Sequence, residues 1–159
     1  MKKYLIFLIV IFTALSCEED VSFNNPSFQG MKDNVFWRAV DSKAFLGSDG
    51  SLIIEGYTGN EVLTLRTTST TTQRYPLGTS NSKTAVYVLT VGADEISFTS
   101  GIGIGSGEIV ITEYDDENNT ISGTFKFNAE NADGNPLAGD VLNFQQGVFY
   151  KVPISAQVP

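Results

Sequence analysis

Residues 120–129 alternate with a period of two: Ile121, Phe125, Phe127 and Ala129 fall on one side, Thr120, Ser122, Thr124, Lys126 and Asn128 on the other. Such a stretch fits a strand with one face in a core and one in water. It constrains the chain strongly, because a strand that is apolar on one side needs a second layer to cover that side. Just upstream, residues 108–114 read as another strand, and Asp115, Asp116, Glu117, Asn118 and Asn119 between them accept turn geometry, so the pair predicts a hairpin. Further strands are expected over 36–40, 51–57, 61–67, 73–77, 84–91, 95–99, 141–145 and 148–152. Turn-forming residues at 47–50, 59–60, 78–81, 92–94, 133–136 and 145–147 separate nearly all of them. The Thr-rich stretch 67–72 suits an exposed edge or a hairpin tip. The gaps are mostly too short for the crossovers that parallel strands require. The expected fold is all-β: a single antiparallel β-sandwich or open β-barrel, mostly a meander.

The N-terminus follows a different logic. Met1-Lys2-Lys3 precedes an apolar run over 4–15, well short of the roughly 20 residues that a membrane-spanning helix needs. A basic start, a short apolar stretch and small residues at Ala14 and Ser16 form the pattern of a cleaved export signal. Ala14-Leu15-Ser16-Cys17 resembles the lipobox of bacterial lipoproteins, with Ala14 where Leu is usual. The resemblance implies that Cys17 is acylated and becomes the first residue of the mature chain. Multiple acyl chains anchor stably where one does not. The division expected is a signal peptide over 1–16, a lipidated Cys17 with an acidic tether over 17–27, and a β domain over 28–159. Glu18-Glu19-Asp20 resembles the surface-export signal of Bacteroidota lipoproteins, which implies an outer-membrane protein facing the cell surface; a periplasm-facing domain with a solvated spacer is the alternative.

The chain carries 10 Lys plus Arg against 18 Asp plus Glu, a formal charge of −8, and loss of Lys2 and Lys3 makes it more negative still. Such a surface repels phosphate backbones, so nucleic acid is not an expected partner. With one cysteine, no intrachain disulfide forms, and packing and backbone pairing must supply the stability. Taken together, the lipobox, the acidic tether, Trp37-Arg38-Ala39, the strand 107–112, Gly123-Thr124-Phe125-Lys126-Phe127 and Gln146-Gly147-Val148-Phe149 look like an uncharacterised family of small Bacteroidota lipoproteins. That resemblance implies a β-rich fold of unknown function and carries over no functional residues.

The side chains limit the chemistry. There is no histidine, which removes Ser-His-Asp and Cys-His systems and His-containing zinc sites. Ser80 and Lys83 make a literal Ser-x-x-Lys match, but in a polar turn rather than on a helix. The glycine-rich run 101–107 lacks the Gly-Lys-Ser/Thr of a phosphate loop and suits a turn or a close approach of two segments. Paired carboxylates remain, with Glu55, Glu108 and Glu113 as candidates; Glu113 shares parity with Ile109 and Ile111, and Glu55 with Ile53 and Tyr57. Oxygen-rich stretches at 115–119 and 133–135 make calcium the one conceivable ion, without the spacing of a defined loop. Tyr114 is the aromatic expected to be most exposed, so Tyr114, Glu113 and Glu55 are the candidate ligand-binding residues. A calycin-like barrel would instead hold an apolar cavity lined by Phe98, Phe125 and Phe127. The leading expectation is a non-enzymatic, lipid-anchored β domain of the cell envelope that binds a glycan, small ligand or protein partner; the alternative is a carboxylate-based, glycosidase-like hydrolase.

Overall fold

The computed structural model describes residues 27–136 and 138–156. Eleven strands form one continuous mixed sheet that folds over on itself into two facing layers. One layer contains β1 (Ser27–Lys32), β2 (Val35–Arg38), β6 (Arg74–Leu77), β9 (Ser106–Asp115), β10 (Thr120–Asn131) and β11 (Val141–Ala156), in the order β2-β1-β11-β10-β9-β6. The other contains β3 (Asp41–Leu46), β4 (Leu52–Tyr57), β5 (Glu61–Thr67), β7 (Thr84–Val91) and β8 (Asp94–Thr99), in chain order. The layers join at both sides. At one, Ile154, Ser155 and Ala156 run parallel to Ala44, Phe45 and Leu46; at the other, Glu130 and Asn131 pair with Thr99 and Phe98. Among the described strand pairs, the β11–β3 contact is the one parallel pairing.

The predicted hairpin is β9–β10, with Asn119 in the left-handed region at φ 51°. Three expectations need correction. The residues 145–147 do not turn: β11 runs from Val141 to Ala156, and the extra residue is absorbed as a bulge. β1 and β3 are strands that the alternation does not reveal. The inward positions of β1 include Gly30 and Lys32, and those of β3 hold Ser42 and Ala44, so neither looks apolar in sequence. The calycin-like cavity is also absent among the described residues, since Phe98, Phe125 and Phe127 are buried and fill the space where it would lie.

Aromatic rings cluster within an interior otherwise built of Leu, Ile, Val and Ala. Phe127 and Phe144 stack with centroids 5.1 Å apart, and the edge of Phe28 meets Phe125 at 5.3 Å. Trp37 packs edge-on against Phe144 at 5.6 Å, and Tyr87 from the opposite layer reaches the same ring at 6.0 Å. Each such pair adds about 1 kcal/mol beyond burial of its area. The glycine-rich run lies where strands crowd together: a side chain at Gly107, at φ 134°, would put its Cβ 2.2 Å from the Lys126 carbonyl oxygen.

Candidate functional site

The candidate site is built on the bulge. Phe127 lies opposite Phe144 and Phe125 opposite Gly147, so Gln145 and Gln146 together face the single residue Lys126. Gln146 takes up the extra length at φ 52°, and both glutamines stand exposed on the outer face. Gly147 turns back beneath the Phe125 ring, where a Cβ would come within 2.5 Å of ring carbons. A bulge bends its strand, and here a shallow groove of 440 Å³ runs over it, lined by Glu108, Thr124, Lys126, Gln145, Gln146 and Val148 among others. An adjoining hollow of 290 Å³ shares Lys126 and Gln145 and reaches Ser106 and Asn128.

Polar groups surround this groove. Glu108 takes Lys126 on Oε1 at 3.1 Å and pairs with Arg74 through Oε2. Asn143 donates from Nδ2 to Asn128 Oδ1 at 2.6 Å. The side-chain amides of Gln145 and Gln146 have no partner among the described residues, so both their donors and their acceptors face outward. Chemically, the surface offers exposed neutral amides beside two exposed cations, Arg74 and Lys126, that share the largely buried carboxylate of Glu108.

A second polar cluster sits on the inner side. Glu61 of β5 accepts a hydrogen bond from Trp37 Nε1 at 2.5 Å and another from Tyr87 OH at 2.5 Å, and it pairs with Lys32. Lys32 Nζ also donates to Tyr87 OH at 2.7 Å and lies 4.9 Å from the centre of that ring. Thr58 adds a bond from Oγ1 at 3.4 Å and accepts one from the Glu61 backbone at 3.0 Å. Desolvation pushes the Glu61 carboxyl upward, but the bonds from Lys32, Tyr87 and Trp37, with the Lys32 charge, outweigh it and hold the group below its ordinary value. Burial, followed by the Glu61 bond and charge, pushes the Tyr87 phenol up. The carboxylate is thus held ionised with donors from β1, β2 and β7, which suits a tie between the layers more than a reactive group.

Residues 24–153 match the family described as Domain of unknown function (DUF6252). The chain belongs to that family. No curated protein and no solved structure gives a significant match. The DUF6252 domain begins just before β1 and ends within β11, so the family's extent covers both layers.

Within the DUF6252 domain, the residues singled out in the sequence do not come together. Glu55 lies on the outer face of the β3–β8 layer, where it accepts a bond from Tyr57 OH while Lys43 sits 4.7 Å from the Tyr57 ring centre. Burial first, and then Glu55, push the Tyr57 phenol up. Glu113 is exposed on the outer face of the other layer. Its expected inward parity is overturned by a bulge: Ser122 faces Glu113 but Gly123 faces Ile111, so Thr112 is the extra residue and everything after it changes sides. The same shift turns Tyr114 toward the core, where it is half-buried against the apolar cluster and donates to Asp116 Oδ1 at 3.2 Å. Glu55 and Glu113 therefore occupy opposite outer faces and share no cleft. Glu108 alone of the three carboxylates lines the groove.

At the β9–β10 tip, Asp115 receives bonds from the Asn118 backbone at 3.0 Å and from Asn118 Nδ2 at 2.7 Å, and these hold its carboxyl below the usual range. Among the described residues, no group of three or more His, Cys, Asp or Glu is placed to hold a metal. Ser80 sits in a turn with its Oγ 2.6 Å from Ser82 Oγ. Cys17 and most of the tether lie outside the described residues. Sequence reasoning missed Lys126, Gln145 and Gln146 as site residues. The signal was present in Gln145-Gln146-Gly147, two polar residues and a glycine interrupting an apolar alternation, but it suits a bulge as well as a turn.

Proposed function

We propose that this chain is a lipid-anchored, non-catalytic domain of the cell envelope that binds a glycan on the open face of the β9–β10–β11 sheet. The observation that carries the glycan reading is the groove over the bulge, flanked by the unpartnered amides of Gln145 and Gln146 and by the Arg74–Glu108–Lys126 cluster. Vicinal sugar hydroxyls are both donors and acceptors, as side-chain amides are. A small-molecule site encloses most of its ligand, whereas an open trough lets a chain of sugars lie across it. The packed interior and the separation of Glu55 from Glu113 speak against the glycosidase-like alternative, which needs two carboxyl groups about 5 to 9.5 Å apart across one cleft. The anchor rests on the likeness of residues 14–17 to a lipobox, and the cell-surface orientation on the acidic residues 18–20.

A glycan-array screen of the full chain in detergent, followed by calorimetry on the hits, tests the binding reading. The Gln145→Ala/Gln146→Ala double variant is expected to bind at least about tenfold more weakly, because two ligand hydrogen bonds at about 1 kcal/mol each are removed. Both side chains are exposed, so the melting temperature should hold. Absence of any bound glycan, or unchanged affinity in the double variant, overturns the reading. Incorporation of radiolabelled palmitate tests the anchor: label should be lost in Cys17→Ala, and retention would refute it.

A further inference from the structure

The six-stranded layer has two ends, and they are finished differently. Both edge strands are four residues long, but β6 carries Pro76, which has no N–H to offer a newcomer. β2, at the other end, pairs with β1 alone among the described residues. Its residues Val35 and Phe36 are 66% and 61% exposed, and Val40 just beyond it is 83% exposed. It has neither a proline nor a bulge, two of the usual devices for protecting an open edge.

The β1–β2 register fixes which backbone groups are free. Asp33 and Asn34 form a two-residue turn with φ 48° and 66°, and Ala39 N donates to Phe28 O at 2.8 Å. Antiparallel ladders alternate, so residues 35, 37 and 39 direct their backbone groups at β1, whereas Phe36 and Arg38 direct theirs outward. Trp37 faces the core, and Phe36 and Arg38 share the opposite, outer face.

We propose that β2 is a pairing edge for a second copy of this chain, the two β2 strands running antiparallel about a two-fold axis at Trp37. Three symmetric registers set outward-bonding residues opposite each other, and the side chains choose among them. Centring on Arg38 puts two guanidinium groups face to face, which is repulsive. It also calls on Val40, whose N–H already goes to Tyr57 O at 2.7 Å. Centring on Phe36 places Arg38 against a residue of the Asp33-Asn34 turn. Centring on Trp37 pairs the two outward-bonding residues with one another, Phe36 of each copy opposite Arg38 of the other. All four outward N–H groups then find carbonyls, and each guanidinium lies beside a phenyl ring, a favourable cation–π geometry. The single cation on this edge thereby becomes the group that selects the register. Four residues on each side bury much less than the ~1,600 Å² of a standard interface, so the association is reversible and concentration-dependent. It would join the two six-stranded layers into one surface, with the grooves of both copies on the same side.

Sedimentation of the full chain in density-matched detergent, over a hundredfold range of concentration, tests this. Wild type is expected to pass from monomer to dimer. Phe36→Lys sets a cation opposite Arg38 and should weaken the dimer at least tenfold. Phe36→Glu sets a carboxylate there and should preserve the dimer, and Phe36→Lys/Arg38→Glu should restore it. Phe36 is exposed, and thermal melts should show all three variants folded. A wild type that stays monomeric throughout overturns the proposal, as does equal loss of the dimer in Phe36→Lys and Phe36→Glu.

Discussion

Glu61 and Glu108 are both carboxylates on strands, each held by cationic and neighbouring groups, and they end up with different tasks. Glu61 is on an inner face; its partners Lys32, Trp37 and Tyr87 come from three strands in both layers, and all of them are at least partly buried. Glu108 is on an outer face; its partners Arg74 and Lys126 come from adjacent strands of one layer, and both are largely in water. The difference teaches that the identity of an ion pair says little until its side of the sheet is known. Inside, the pair ties the layers together; outside, the carboxylate is covered just as well, but its cations Arg74 and Lys126 stay open to water.

Removing Glu61 should separate the two most clearly. Glu61→Ala strands the Lys32 ammonium, the Tyr87 hydroxyl and the Trp37 N–H, and is expected to cost about 3 kcal/mol, or about 10 °C in melting temperature. A thermal melt within 2 or 3 °C of wild type, ~1 kcal/mol or less, would remove the distinction. Acid should expose the same tie. Because the Glu61 carboxyl titrates below its ordinary 4.5, its stabilising contribution is fully present above that value and fades as pH falls through the lower folded-state value. Urea unfolding of wild type and Glu61→Gln at stepped pH should give stabilities that converge in acid; a constant gap would argue against the carboxylate as the cause. Tyr87→Phe keeps the ring and loses one donor, for about 1 kcal/mol. The smallest effect is expected for Glu108→Ala, about 0.5 kcal/mol, since its partners are solvated. A loss there as large as for Glu61→Ala in the same melts would make the outer cluster structural too.

Local alternation made the β9–β10 hairpin and most of the five-stranded layer legible in the sequence. What stayed hidden depends on single residues. An inserted residue at Thr112 reverses the facing of Glu113 and Tyr114, and nothing in a pattern of residue types marks an insertion that only the partner strand defines. Gln145-Gln146-Gly147 carries turn chemistry, and only pairing with β10 and β1 on either side makes it a bulge. Lys32 was invisible as an inward residue because its match, Glu61, lies two strands into the other layer's sequence. Glu108 was legible as a carboxylate of interest, but its neighbours in the groove come from β10 and β11 and are assembled by register alone.

β11 has a consequence in time as well as in space. It is the last strand in chain order among the described residues, yet it borders β10 along most of its length, β1 along its middle and β3 at its end. Ser27 meets Tyr150 and Phe28 meets Phe149, so the first described strand has to wait for the last. Contacts so distant along the chain slow folding, to on the order of milliseconds to seconds in all-β domains. The early strands can form hairpins among themselves and the five-stranded layer can pair in chain order, but the six-stranded layer and its junction with β3 wait for β11. Closure of the domain therefore depends on the last stretch of the described chain to be made.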